Sequence, residues 1–202
     1  MSGNYRFNVD WWDLVSNNFI EGPGFMKKFI GVPTKVIQIG CFEGRGTVWM
    51  LDHVLTHRDS KLIDIDPFFS NTDLAGANFE TVKELYYHNL KQCQNANNFP
   101  RHQIIVGKSE DILPTLEKNS FDLIYIDGSH LKKDVWLDAI YSHELLKVGG
   151  RIFFDDYEWG NNDPNASRDY LPHDAIDEFL EKYKDYYKIV DIHYQVVIEK
   201  IK

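Results

Sequence analysis

Residues 36–47 of this chain read Val36-Ile37-Gln38-Ile39-Gly40-Cys41-Phe42-Glu43-Gly44-Arg45-Gly46-Thr47, and they determine its fold. Residues 36–39 form a short apolar run, which is typical of a buried strand. The glycines that follow let the backbone turn tightly and approach a ligand closely. The N–H groups at the start of the next helix favour a bound carboxylate. We call residues 40–47 the glycine loop and expect a ligand beside it.

Short apolar runs alternate with helical patterns along the rest of the chain. Strands are predicted at residues 61–65, 103–106, 121–126 and 151–154, and a final β segment at 187–200 breaks near residues 193–194. Helices are predicted at residues 47–55, 78–94 and 129–146, and apolar residues at 176, 179, 180 and 183 mark another. Residues 147–150 are typical of a turn. This alternation predicts a doubly wound α/β fold, with a mostly parallel sheet and helices on both faces.

The spacing of the glycines limits the classes of ligand that the glycine loop can bind. Gly40 is followed by one glycine four residues later and another six residues later. This is neither the G-x-G-x-x-G pattern of dinucleotide-binding proteins nor the G-x-x-x-x-G-K-[ST] pattern of a P-loop. A nicotinamide oxidoreductase is therefore the least favoured function. A turn that binds no ligand remains an alternative interpretation of the glycine loop.

Polar residues that follow the strands are site candidates, because such sheets bind ligands beyond the carboxyl ends of their strands. Asp66 ends the second strand and can accept both hydroxyls of a ribose, or cap a turn. Asp64 lies inside the same strand and is the poorer candidate. Ser109, after the third strand, can face an adenine edge or cap the following helix.

The ordered motifs resemble those of class I S-adenosylmethionine-dependent methyltransferases. Among these the chain looks most like the metal-dependent O-methyltransferases, including catechol O-methyltransferase and the macrocin-type sugar O-methyltransferases. The motifs are V-I-Q-I-G-C-F-E-G-R-G-T, L-I-D-I-D-P-F, G-K-S-E-D-I-L-P, F-D-L-I-Y-I-D-G-S-H and L-L-K-V-G-G-R-I-F-F-D-D-Y, and they spread over residues 34–200.

The resemblance implies S-adenosylmethionine as cofactor and a seven-stranded, Rossmann-like sheet whose last strand is antiparallel. It places the methionine end of the cofactor at Gly40, Phe42, Glu43 and Gly46, the ribose at Asp66, and the adenine at Ser109 and Glu110; Thr47 and Asp127 complete the predicted cofactor-binding set. One departure is Gln38, which stands where many class I enzymes have an acid. Its amide can accept hydrogen bonds but brings no charge.

Three carboxylates, Asp127, Asp155 and Asp156, follow the fourth and fifth strands. Hard oxygen ligands of this kind suit Mg²⁺, and also Mn²⁺ or Ca²⁺, and a cation would remove the repulsion between the acids. The alternative is that these acids cap a loop and a helix. His130 is the predicted base that accepts a proton from an attacking hydroxyl, because an imidazole titrates near neutral pH. Asp127 or a metal-bound water is the alternative base.

Composition limits the partners and the setting. The chain has 202 residues, which fits one domain, and its net charge of −9 does not suit a dedicated nucleic-acid binder with a basic face. The N-terminus has no signal-peptide pattern, no apolar run is long enough for a membrane helix, and two cysteines make no disulfide framework. We therefore expect a cytoplasmic protein with one domain, in which residues 34–202 bind the cofactor and an N-terminal helical, aromatic segment, residues 1–33, contributes to the acceptor pocket. A homodimer is left open.

The acceptor is predicted to be a small molecule or a glycan, held by two groups of residues. The first group comprises the aromatic residues Tyr5, Trp11, Trp12 and Phe25, and the second the loop residues Tyr157, Trp159, Asn161, Arg168 and His173. Aromatic faces stack on rings, and a long polar loop at the ligand edge is often functional. The polarity of the loop favours a sugar hydroxyl over a phenol. A catechol-like acceptor and a catalytically silent cofactor-binding module remain the alternatives.

Overall fold

The structure is a computed structural model, and it describes residues 4–69, 77–94, 101–160 and 167–202. The helices are α1 Trp11–Ile20, α2 Arg45–His53, α3 Phe79–Gln92, α4 Ser109–Ile112, α5 Lys132–Leu145 and α6 Pro172–Lys182, with 3₁₀ turns at Lys27–Phe29, Leu113–Thr115 and Arg168–Tyr170. The strands are β1 Lys35–Ile39, β2 Lys61–Asp66, β3 His102–Val106, β4 Phe121–Ile126, β5 Leu146–Phe154, β6 Tyr187–Ile192 and β7 Val196–Lys200. Within these ranges no helix combines the length and hydrophobicity that a membrane crossing requires.

The strands form one seven-stranded sheet in the order β3-β2-β1-β4-β5-β7-β6. The pairs β1–β4, β2–β3 and β4–β5 are parallel, whereas β7 runs antiparallel to both β5 and β6. The predicted mixed sheet, with an antiparallel last strand and a break in the final β segment, is confirmed.

The turn predicted at residues 147–150 is wrong, because β5 already begins at Leu146. Phe121 of β4 pairs with Leu146, and the register then shifts so that Leu123 pairs with Arg151. The four residues 147–150 therefore bulge out of a continuous strand. The two glycines in this bulge imitate the signal of a turn between a helix and a strand.

Contacts divide the chain into two compact units. The first contains Met1–Lys35 and Cys41–Gly107, and the second contains Val36–Gly40 and Lys108–Lys202. In the first unit, α1 contributes the buried Phe19, and α2 contributes Met50 and Leu51. The thiols of Cys41 and Cys93 are also buried there, and neither forms a disulfide.

The core of the second unit lies between the sheet and the helices α5 and α6. Its largest buried side chains are those of Tyr125, Phe153, Phe154 and Phe179. Lys200, the last residue of β7, is 6% exposed, and its Nζ donates to the backbone oxygens of His143 and Leu146 at 2.7 and 2.9 Å. Lys200 of β7 thereby caps a carbonyl in the last turn of α5, which lacks a partner within the helix, and the carbonyl of Leu146, the residue that follows the helix.

Candidate functional site

In the first unit, Asp66 fixes the backbone of the glycine loop. Its Oδ2 accepts hydrogen bonds from the backbone N–H groups of Cys41 and Phe42 at 2.8 and 3.0 Å, and its Oδ1 accepts one from Phe68 at 2.6 Å. Burial raises the pKa of the Asp66 carboxyl, and these backbone donors act in the opposite direction. A carboxylate has about four acceptor positions. Three backbone N–H groups and the Cys41 side chain already hydrogen-bond to it, so the predicted contact of Asp66 with a ribose stays a prediction.

Thr47 and Asp64 belong to a buried polar cluster. Oδ2 of Asp64 accepts from the hydroxyls of Thr47 and Tyr86, each at 2.7 Å, and lies 2.9 Å from Nε2 of His102. Thr47 and Asp64 are both fully buried. The Thr47 hydroxyl therefore joins α2 to β2, and its predicted contact with the cofactor stays a prediction.

Glu43 and Gly46 of the glycine loop are also buried. Both carboxylate oxygens of Glu43 accept hydrogen bonds from Asn8, a residue that sequence reasoning missed. Asn89 of α3 was missed as well, although it lies on the stripe of α3 that buries Val82 and Tyr86. An asparagine in an apolar stripe is the signal that could have revealed it, because a buried amide requires polar partners.

Gly40, in the second unit, lies against the chain that follows β4. A Cβ atom at this position would lie 1.9 Å from the carbonyl oxygen of Asp127, and the backbone has a φ of +80°. The N–H of Asp127 donates to the carbonyl of Ile39 at 2.9 Å. Gln38 is buried and donates from Nε2 to the carbonyl of Gly40 at 3.2 Å, so its amide supports the start of the loop.

Ser109 and Glu110, predicted to lie beside adenine, begin α4 in the second unit. The Ser109 side chain hydrogen-bonds to Asp138, which is buried on α5. Burial raises the pKa of Asp138 to about 7. Glu110 is exposed and pairs with Lys108 at 3.3 Å. Neither contact tests the predicted role toward a cofactor.

The acids that follow β4 and β5 line one pocket of the second unit, which we call the acidic pocket. Its polar lining comes from Asp127, Ser129, His130, Asp155 and Asp156. Its apolar wall is made by Ile126, Val135, Phe154 and Pro172. Side chains from two neighbouring strands and the loops after them therefore meet here, as the sequence predicted.

The carboxylates of the acidic pocket accept hydrogen bonds from within the unit. Asp155 accepts from the hydroxyl of Tyr125 at 2.5 Å, and Tyr125 accepts in turn from Gln195 at 2.6 Å. Oδ1 of Asp156 accepts from the hydroxyl of Tyr194 at 2.7 Å, and its Oδ2 lies 3.0 Å from Nε2 of His130. Burial raises the pKa of Asp155, and the charge of Asp156 raises it further.

Tyr125, Tyr194 and Gln195 are further residues that sequence reasoning missed. Tyr194 and Gln195 lie where the final β segment breaks between β6 and β7. The sequence signal for Tyr194 and Gln195 was weak, because it consisted of two polar residues at a poorly marked turn before the last strand. Among the residues that the structure describes, no three His, Cys, Asp or Glu side chains are grouped closely enough to hold a metal ion.

The residues predicted to bind the acceptor have several different environments. Trp12 and Phe25 are buried in the first unit, whereas Trp11 is 53% exposed and lies against the ring of Phe42 at 5.5 Å. The Tyr5 hydroxyl donates to Asp52.

In the loop, the Tyr157 hydroxyl donates to Asp177, and Arg168 and His173 both pair with Asp174. Trp159 packs on the ring of His130 at 4.3 Å. Asn161 lies outside the described residues.

Comparison with known proteins assigns the middle of the chain to a protein family. Residues 37–157 match the family model described as a methyltransferase domain. An uncharacterized protein of Acanthamoeba polyphaga mimivirus is 29% identical over 60% of this chain and 51% of its own length. An O-methyltransferase of Aspergillus hancockii is 27% identical over 54% of this chain and 47% of its own length. The chain thus spans about half the length of the curated relatives it matches.

Solved structures share the fold at lower identity. The O-methyltransferase TomG from Streptomyces achromogenes, crystallised with S-adenosylmethionine, is 18% identical with a TM-score of 0.61, covering 84% of this chain and 74% of that one. A putative rRNA methylase from Clostridium thermocellum is 14% identical with a TM-score of 0.64, covering 97% of this chain and 99% of that one. At these identities the likeness extends to the fold alone.

Proposed function

Because the chain belongs to the methyltransferase domain family, with residues 37–157 matched, we propose that it is an S-adenosylmethionine-dependent O-methyltransferase. Its acceptor is a hydroxyl group of a sugar or glycan. The observation that carries the proposal is the acidic pocket, where three carboxylates and an imidazole follow β4 and β5 inside the matched region. The similarity to an O-methyltransferase of Aspergillus hancockii and to TomG supports both the reaction and the cofactor.

The chain's own residues would position the acceptor and accept its proton. When bound, S-adenosylmethionine supplies an electrophilic methyl carbon on a sulfonium sulfur. The acceptor oxygen forms a bond to that carbon as the carbon–sulfur bond breaks, so the hydroxyl proton must go to a base. His130 is the proposed base, since Asp156, 3.0 Å from its Nε2, can stabilise the imidazolium. Trp159 restricts the ring orientation of His130.

A divalent cation is the second part of the proposal. Asp127, Asp155 and Asp156 would hold it, with Mg²⁺ as the proposed ion and Mn²⁺ or Ca²⁺ as alternatives. Their oxygen donors suit a hard cation in their chemistry, and a cation would relieve the repulsion between Asp155 and Asp156, but as the structure describes them the three acids are not grouped closely enough to hold one. When bound, the ion supplies a Lewis acid that makes a hydroxyl more acidic.

The cofactor part is tested by titrating S-adenosylhomocysteine into the protein in a calorimeter. We expect micromolar binding, which Asp66→Ala abolishes because the loop loses its acceptor and the ribose its partner. Asp59→Ala is the matched control, since Asp59 is an exposed acid of the same unit, at 67% side-chain exposure. The absence of binding to the folded wild-type protein would overturn the proposed cofactor.

The acceptor and the metal are tested by turnover on a panel of glycosides and phenols, with and without a chelator. We expect methylation of a glycoside that the chelator abolishes and added Mg²⁺ restores. Turnover on phenols alone would reject the sugar acceptor. Turnover that is insensitive to chelation would reject the cation while leaving the methyltransferase reaction in place.

A further inference from the structure

The N-terminal segment, residues 4–10, runs along the glycine loop within the first unit. The backbone N–H of Asn8 donates to Oε2 of Glu43 at 2.8 Å, and Nδ2 of Asn8 donates to Oε1 at 2.9 Å. Glu43 is only 2% exposed. A buried carboxylate is costly unless donors satisfy it, so Asn8 provides what Glu43 needs in order to stay inside the loop.

Two further residues join the N-terminal segment to the loop. Asn89, fully buried on α3, donates from Nδ2 to the carbonyls of Glu43 and Arg6, each at 2.8 Å, and accepts the Arg6 N–H at 2.7 Å. Arg45 donates to the carbonyl of Val9 at 2.9 Å and pairs with Asp10. The segment is thus attached through side chains rather than through a strand pairing.

The loop conformation needs such attachment because part of it is strained. Phe42 has a φ of +46° and Gly44 a φ of +79°. A left-handed phenylalanine persists only where its surroundings fix it. Asp66 holds one side of the loop through the N–H groups of Cys41 and Phe42, and Asn8 holds the adjacent side through Glu43.

We propose that Asn8 is a positioning residue for the methyl donor. Acting through Glu43, it keeps the glycine loop in the conformation that binds the nucleoside thioether, so the N-terminal segment belongs to the cofactor half of the protein. This inference rests on the proposed function. A loop that must be ordered on binding loses affinity, whereas a loop already held in place does not.

The test is a charge swap read out by calorimetric titration with S-adenosylhomocysteine. Asn8→Asp replaces the amide donor by a second carboxylate facing Glu43, and we expect the Kd to rise about tenfold, or 1.4 kcal/mol. In the double variant Asn8→Asp with Glu43→Gln, the amide introduced by Glu43→Gln can donate to the carboxylate introduced by Asn8→Asp. A donor therefore again faces an acceptor. We expect the Kd of the double variant to return to within about threefold of that of Glu43→Gln alone.

The controls separate positioning from general damage. Because Asn8→Asp places a second carboxylate against the buried Glu43, we expect it to lower the thermal unfolding midpoint, and the titration is run well below that midpoint, where the protein is folded. It should also raise the KM for S-adenosylmethionine without lowering kcat. His88→Ala removes a contact to the same segment, 3.1 Å from the carbonyl of Asn4, that does not reach the loop, and should keep wild-type affinity.

Three results would overturn the inference: wild-type affinity in Asn8→Asp, a double variant no better than Asn8→Asp, or an equal loss in His88→Ala. Failure of the wild-type protein to bind S-adenosylhomocysteine is a different outcome, because it contradicts the proposed function itself.

Discussion

At the scale of single residues, His130 is the group whose loss separates binding from chemistry. It lines the acidic pocket and pairs with Asp156 at 3.0 Å. We expect His130→Ala to lower kcat by about 10²–10⁴-fold, the usual contribution of a general base. Its affinity for S-adenosylhomocysteine should stay at the wild-type value, as measured by calorimetry. Near wild-type turnover across pH would show that another group accepts the proton.

Gly40 has no room for a side chain. Gly40→Ala would place a methyl group 1.9 Å from the carbonyl oxygen of Asp127, on a backbone with a φ of +80°. Gly149 has nearly the same φ, +82°, but a methyl group added there would meet no atom within 4 Å, so Gly149→Ala isolates the backbone cost. We expect Gly149→Ala to lower the free energy of unfolding by about 1 kcal/mol, and Gly40→Ala to lower it by clearly more. Equal losses in urea unfolding would mean that the chain after β4 moves aside.

At the scale of elements, α5 contains an acid that couples stability to pH. Burial raises the pKa of Asp138 to about 7, and the charges of Asp134 and Glu110 also raise it, while the Ser109 hydrogen bond lowers it. A carboxyl with a raised folded-state pKa favours the folded protein at low pH, and this contribution is lost as the pH rises toward 7. The difference in unfolding free energy between wild type and Asp138→Asn should therefore change between about pH 4 and 7 and level off above it. A difference that is constant with pH would show that Asp138 titrates normally.

The cap that β7 provides for α5 gives a second prediction at this scale. Lys200→Met keeps most of the apolar stem but leaves the carbonyls of His143 and Leu146 without this donor. We expect a loss of about 1–3 kcal/mol in the free energy of unfolding, the cost of unsatisfied buried polar groups. Lys184→Met is the control, because the pair of Lys184 with Glu181 is exposed to solvent and should contribute little to stability. Similar losses in both variants would mean that the cap contributes little.

At the scale of the whole molecule, the net charge distinguishes between acceptors. The chain carries 31 acidic and 22 basic residues. Binding to RNA depends on basic groups that neutralise phosphates, so we expect no shift of an rRNA fragment in a gel assay at about 0.15 M salt. Salt-dependent binding of RNA would contradict this expectation. It would mean that the basic residues form a local patch despite the negative net charge.

How far the sequence predicts the molecule depends on the kind of interaction. The strand Phe121–Ile126 is found at its predicted bounds, because a short run rich in β-branched and aromatic residues and bounded by polar residues favours a strand. Asp127, Asp155 and Asp156 meet in one pocket because parallel neighbours end at one edge. The contact of Asn8 with Glu43 has no such rule, since it depends on the path of a segment without regular secondary structure. The bulge at residues 147–150 was missed because glycines mark turns and bulges alike.

The reactivity of the two buried cysteines can report on opening of the first unit. Burial raises the pKa of the Cys41 thiol, and a thiol in this state reacts slowly with disulfide reagents. Both cysteines lie in the same unit, at the glycine loop and just after α3. Labelling of the native protein should thus be limited by opening of this unit rather than by chemistry. A ligand bound at the glycine loop would stabilise this unit and slow the modification of Cys41, so binding could be followed by mass spectrometry without any engineered probe.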